Sequence, residues 1–172
     1  VWLVDSLGNP VDTSVTATLT LVDDVWTPTP VAIDIVEGHG SVTLTARVPA
    51  SSSEVQVTGA DATMGSVQLN AIVGAANRVH VLRGGQSLTP GDSVGVTTGE
   101  ALALTAGIDS TFRVVLTDGW SNPVDTTVDV MLHASEPVWW NTTGDPSTYT
   151  EISVSSGDQA LTIRPYVSDT LH

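Results

Sequence analysis

The sequence predicts an all-β chain of antiparallel strands closed into sandwiches or barrels, and three observations carry that prediction. Valine and threonine dominate, and apolar residues alternate with polar ones at period two, the pattern of strands with one buried face. No stretch repeats apolar residues at helical spacing, lysine is absent, and glutamate, glutamine and methionine are scarce. Clusters of Gly, Pro, Asn, Asp and Ser, such as Leu7-Gly8-Asn9-Pro10, Gly84-Gly85-Gln86-Ser87 and Thr89-Pro90-Gly91-Asp92, punctuate the chain at the short spacing of a many-stranded fold.

The strands follow in order. Thr13 to Val22 places Val15, Ala17, Leu19 and Leu21 on one face and mostly threonine on the other. Ser41 to Val48 does the same with Val42, Leu44, Ala46 and Val48. The alternation returns at Glu54 to Thr58, Ser66 to Val73 and Arg78 to Leu82. A short strand at Glu100 to Thr105 precedes Thr111 to Thr117, and Thr127 to His133 and Gln159 to Val167 complete the set.

The chain also resembles itself. Val1 to Val15 lies over Val114 to Val128 at a shift of 113, matching Asp5, Asn9-Pro10-Val11-Asp12-Thr13 to Asp118, Asn122-Pro123-Val124-Asp125-Thr126. Trp26 falls on Trp139 at the same shift. After a four-residue insertion, Gly40, Leu44, Thr45 and Arg47 fall on Gly157, Leu161, Thr162 and Arg164. Two copies of one all-β unit are therefore expected, as domains 1–76 and 77–172.

The phase of this repeat leaves each copy short at the opposite end. Copy two has a lead-in, Asn77 to Thr111, without a counterpart before Val1, so domain 1–76 lacks its first strands. Copy one has a tail, Glu54 to Val73, without a counterpart before His172, so domain 77–172 lacks its last strands. A sandwich without an edge strand leaves unpaired backbone groups and an open core. Either the 172 residues are cut from a longer array, or strands of one subunit complete the next, Glu54 to Val73 packing into the Arg78 to Ile163 region of a neighbour. Val1 is expected not to be a native translation start.

The block Asp5-Ser-Leu-Gly-Asn-Pro-Val11, followed by a Thr/Val strand, resembles the bacterial immunoglobulin-like repeats of invasin, intimin and large secreted surface proteins. Val73 to Gly91, with Ala106-Gly107 and Phe112 to Asp118, is similar to the lead strand and second strand of such arrays. The resemblance covers nearly the whole chain and implies tandem immunoglobulin-like sandwiches used as stalks, adhesins or surface-layer parts. Copy two departs from it with Asp118-Gly-Trp-Ser-Asn122, which puts in doubt a single geometry for the turn.

Composition removes whole classes of chemistry. Nineteen acidic residues face five arginines, for a formal charge of −14, which repels nucleic acid and anionic lipid headgroups. Residues 1–76 carry eight acids and one arginine, residues 77–172 eleven and four, so each part comes to −7 and the charge reads as a solvating coat. With 41% hydrophobic residues, there is enough apolar material for a core despite that charge. Without cysteine there are no disulfides, thiolate metal sites or thiol nucleophiles, and without lysine no Schiff bases or isopeptide crosslinks. No apolar run reaches the roughly 18 residues of a membrane-spanning helix, so no membrane insertion is expected.

Few residues carry candidate chemistry. Asp5, Asn9 and Asp12, and Asp118, Asn122 and Asp125, put three oxygen ligands into one inter-strand turn, a candidate calcium set. The competing reading is that these Asp and Asn side chains bond their own backbone and that Pro10 and Pro123 fix the turn. Trp26, Trp120, Trp139 and Trp140 lie in or beside loops; adjacent Trp139 and Trp140 point to opposite faces of a strand, one inward and one to the surface. An outward indole can cover the end of the sandwich, anchor a neighbouring subunit or stack on a glycan. Asn141-Thr142-Thr143 is an N-glycosylation acceptor pattern. His39, His80, His133 and His172 are far apart, and Gly38-His39-Gly40-Ser41 lacks the spacing of a nucleophile elbow, so no enzyme activity is expected.

The expected function is structural: a subunit or repeat segment of an extracellular, cell-surface filament, stalk or sheath, assembled head-to-tail from copies of itself by strand complementation. The competing expectation is an adhesin repeat gripping a glycan or host protein through loop tryptophans.

Overall fold

The computed structural model describes residues 1–59, 62–96, 104–141 and 145–166. The chain is all-β with antiparallel sheets, consistent with a β-sandwich, and divides into two compact units, Val1–Ile72 and Val73–His172. No described helix is long and apolar enough to cross a membrane.

In the first unit, β1 (Val15–Leu21), β3 (Val31–Ile35), β5 (Ala50–Gly59) and β6 (Ala62–Ala71) form a sheet in the order β3-β1-β5-β6, and β2 (Trp26–Thr27) pairs with β4 (Thr45–Ala46). Alternation sets the register: Ala17 lies opposite Ile33 on one side and Gly59 on the other, which turns Ala17, Leu19, Leu21, Ile33, Ile35 and Val55 to one side. Trp26 fills this core, and its indole N–H donates to the Ser53 hydroxyl at 2.7 Å, which donates to Asp23 Oδ1 at 2.8 Å. That chain of bonds satisfies the buried indole and the buried serine together.

In the second unit, β7 (Arg78–Arg83), β8 (Ser110–Thr117), β9 (Val128–Trp140), β10 (Ser147–Val154) and β11 (Asp158–Pro165) form the order β10-β9-β11-β8-β7. β9 pairs with β10 from Val128 to His133 and, after a register shift, again at Val138, and it meets β11 only from Val138 to Trp140. Val114, Leu116, Leu132, Ile152, Val154 and Leu161 make the core, and Trp140 closes it with its indole N–H on the Ser147 carbonyl at 2.9 Å.

The structure corrects parts of the sequence reading. Only Thr45 and Ala46 of the expected strand Ser41 to Val48 are in a ladder; Val42 and Leu44 pack on the core without strand hydrogen bonds. β3 and β10 were not foreseen, and the expected Glu100 to Thr105 strand falls largely outside the described residues, with Leu104 and Thr105 in no strand. Within the chain, the Glu54 to Val73 region pairs with β1 through β5, and β5 with β6.

The expected matching of positions between the two units also changes. Trp26 lies opposite Ala46 and Trp140 opposite Ile163, and both indoles are buried, so Trp26 corresponds to Trp140 and not to Trp139. Gly38, not Gly40, corresponds to Gly157: at φ +80° and +74°, a Cβ would lie 2.3 Å from the Val11 carbonyl oxygen and 2.0 Å from that of Val124. Their N–H groups donate to the carbonyls of Thr13 (3.0 Å) and Thr126 (2.7 Å). Only glycine tolerates that combination of left-handed backbone and contact.

Leu116→Ala, at a side chain only 2% exposed, is expected to cost about 2–5 kcal/mol, whereas Val128→Ala, at 42% exposure, is expected to stay within about 0.5 kcal/mol, both read by chemical denaturation.

Candidate functional site

Each unit builds the same aspartate-centred turn. Asp5 Oδ1 accepts the N–H of Leu7 (2.8 Å) and Asn9 (2.9 Å), and the Asn9 amide donates to Oδ2 at 3.0 Å. Asp118 Oδ1 accepts the N–H of Trp120 (2.9 Å) and Asn122 (3.0 Å), and the Asn122 amide donates to Oδ2 at 2.9 Å. The backbone closes alike, from Asp5 N–H to the Asn9 carbonyl at 2.9 Å and from Asp118 N–H to the Asn122 carbonyl at 3.0 Å. Gly8 and Ser121 take the positive φ, +84° and +59°. The departure at Asp118-Gly-Trp-Ser-Asn122 therefore leaves the turn geometry unchanged.

Both oxygens of each aspartate face N–H donors, the arrangement that bonds a carboxylate into its own turn. A calcium ion would have to displace those donors, Asp12 and Asp125 are exposed, and no group of three His, Asp or Glu among the described residues gathers to hold a metal. The donor set fits the turn and not the cation. The Asn9 side chain, and then the N–H groups of Asn9 and Leu7, hold the Asp5 carboxyl below its ordinary pKa. Burial opposes ionisation of Asp118, but the Asn122 side chain and the N–H groups of Trp120, Asn122 and Gly74 outweigh it and lower its pKa too.

The two turns differ in their cover. In the second unit, residues 73–96 lie over the turn: Gly74 N–H donates to Asp118 Oδ2 (3.2 Å), Asn77 N–H to the Thr117 carbonyl (2.9 Å), and Gly91 N–H to the Trp120 carbonyl (2.8 Å). Gly95 is so close that a Cβ there would overlap the Ser121 hydroxyl. No described residue covers the first turn in this way. Val114, Val115 and Thr117 are 0%, 2% and 0% exposed, whereas their sequence counterparts Val1, Trp2 and Val4 are 40%, 71% and 49% exposed.

Among the described residues, each unit has an open edge. β7 pairs with β8 in the second unit, placing His80 opposite Val115 and Arg78 opposite Thr117. Leu3 N–H donates to the Gly38 carbonyl and Val11 N–H to the Leu3 carbonyl, so Trp2 and Val4 direct their backbone groups to the opposite side. Among the described residues nothing bonds them there. Beneath this edge opens a cavity of about 810 Å3, lined by Leu3, Val11, Ala17, Ile35, Val55 and Val67 among others. In the second unit the opening lies along β9: the side of β1 that β5 occupies is, on Val130 to Ala134, bonded to no described strand.

The other predicted residues separate. Trp26 and Trp140 are core, Trp120 is half-buried beside the loop at Gly91, and half-buried Trp139 meets Tyr166 edge-on at 6.4 Å. The exposed indole is Trp2, which the sequence reading did not single out; its ring lies 5.5 Å from that of His39. Asn141 is exposed at the end of β9, and Thr142 and Thr143 lie outside the described residues. No protein-family model, curated protein or solved structure matches the chain.

Asp118 has its pKa lowered by folding, so its contribution is present above the ordinary value of 3.8 and is lost as pH falls through the lower folded value. Asp118→Asn is expected to cost about 1.5–3 kcal/mol at pH 7 and to flatten the acid limb of the second unit's stability curve, measured by denaturant melts from pH 7 to 2. Burial, then Arg78, lowers the pKa of His80, so the unfolded chain binds its proton more readily and the second unit loses stability as pH falls through about 6.5. His80→Gln is expected to remove that part of the slope in the same melts.

Proposed function

We propose that this chain is a structural subunit or repeat segment of an extracellular filament, stalk or sheath, built from tandem immunoglobulin-like sandwiches that join head-to-tail by strand complementation. The observation that carries this reading is the pair of open edges. Among the described residues, the first unit has no neighbour like the one β7 gives β8, and the second has none like the one β5 gives β1. Unpaired strand edges over an accessible core are templates for another chain's strand. The acidic surface keeps such units soluble until specific edges meet, and the chain has neither cysteine nor lysine to fasten a junction covalently. Backbone pairing and apolar closure are then the forces that hold the polymer. The adhesin reading has less support, because Trp26 and Trp140 are committed to cores and Trp120 and Trp139 are only half-exposed.

The test is assembly. The purified chain is expected to form concentration-dependent linear oligomers, seen by sedimentation and electron microscopy. Met131→Asp, a charge on the open β9 at a side chain 66% exposed, is expected to shorten them without lowering the melting temperature. A chain that stays monomeric at every concentration, or polymers indifferent to this change, would contradict the reading.

A further inference from the structure

We infer that Asn141 accepts an N-linked saccharide and that the Trp139 ring is the platform on which its first sugar lies. This goes beyond the reading above and rests on it only for placement outside the cell.

The chain has five asparagines, and four are excluded from that role. Asn9 and Asn122 precede proline and bond Asp5 and Asp118, and Asn70 and Asn77 have no Ser or Thr two residues on. Asn141 alone begins the acceptor pattern, Asn141-Thr142-Thr143. It is exposed, and its side-chain amide bonds no described residue. The backbone holds it in place: Asn141 N–H donates to the Thr162 carbonyl at 3.0 Å, which carries the β9–β11 register one residue past Trp140 and Ile163.

Alternation then decides what lies beside the acceptor. Trp140 points into the core, so Trp139 and Asn141 share the outer face of the sheet. Trp139 is half-buried, and its indole N–H donates to no described residue. Tyr166 stands against it at 76°, so the two rings make a corner and not a stack. An accessible indole offers a sugar an apolar face for its C–H bonds and a donor for a hydroxyl. The first unit has Val25 and Thr27 at the matching positions, so the site belongs to the second unit.

The transfer itself needs an external transferase and a saccharide activated as a pyrophosphate ester. The Asn141 amide nitrogen bonds to the anomeric carbon as the bond from that carbon to the phosphate oxygen breaks. The pyrophosphate leaves with the electron pair, and the nitrogen gives up one proton to solvent.

The test is tandem mass spectrometry of the peptide spanning Asn141, from chain purified from the cells that produce it. A saccharide on Asn141 is expected, lost in Asn141→Gln and Thr143→Ala and retained in Thr143→Ser. On the glycosylated chain, nuclear Overhauser contacts between the Trp139 ring and the first sugar are expected. Removing the saccharide is expected to lower the second unit's melting temperature by roughly 4 °C, a difference that disappears in Trp139→Val. An unmodified Asn141 in the native chain, or saccharide confined to Ser and Thr, would overturn the acceptor. A sugar without contacts to Trp139, or the same melting difference in Trp139→Val, would overturn the platform. The filament is judged separately: polymers of a chain unmodified at Asn141 uphold the filament and overturn the acceptor, and a glycosylated chain that never polymerises does the reverse.

Discussion

An antiparallel strand presents its backbone N–H and carbonyl groups alternately to its two sides, and a buried or half-buried strand must find a partner on both. The rest of this structure depends on that requirement. β1 meets it with β3 and β5, and β8 meets it with β7 and β11. Among the described residues, the first residues of the chain meet it on one side only, through Gly38 and Val11, and β9 meets it on one side over most of its length. Where pairing is complete, the side chains beneath are almost fully buried; where it stops, the same sequence positions stand open. Valine at 114 and valine at 1 differ in exposure because of their neighbours, not their chemistry.

The aspartate turns show how the chain holds these edges in place. A carboxylate that accepts two backbone N–H groups and a side-chain amide fixes a five-residue turn without help from outside. The turn forms whether or not it is covered, since Asp5 is exposed and Asp118 is buried. A rigid turn holds the backbone beside it extended, which limits the ordering entropy of any pairing made there. In the second unit the same turn serves as the floor on which Gly91 and Gly95 close.

Much of this was legible in the sequence. Period-two alternation located β1, β5, β6, β7, β8, β9 and β11, because half-burial is what alternation records. It misled at Val42 and Leu44, which are turned inward without joining a ladder: burial and strand hydrogen bonding are separate properties, and the sequence reports only the first. β3 is a five-residue strand behind Thr27-Pro28-Thr29-Pro30, and β10 presents Ser147-Thr148-Tyr149-Thr150-Glu151, too polar to read as a strand without its partner. Adjacent tryptophans at 139 and 140 made the repeat ambiguous by one residue, which the pairing of Trp140 with Ile163 resolves. The exposure of Trp2 was not legible, because it depends on what lies beside the residue and not on its own chemistry.

The proposed filament requires a strand from outside the first unit to pair with the Trp2–Val4 edge. Amide hydrogen exchange measures it directly. In the isolated chain the amides of Trp2 and Val4 should exchange freely while that of Leu3, bonded to Gly38, is protected, and on assembly Trp2 and Val4 should become protected as well. Protection of Trp2 and Val4 already in the isolated chain, or their continued free exchange within the assembled polymer, would contradict the account.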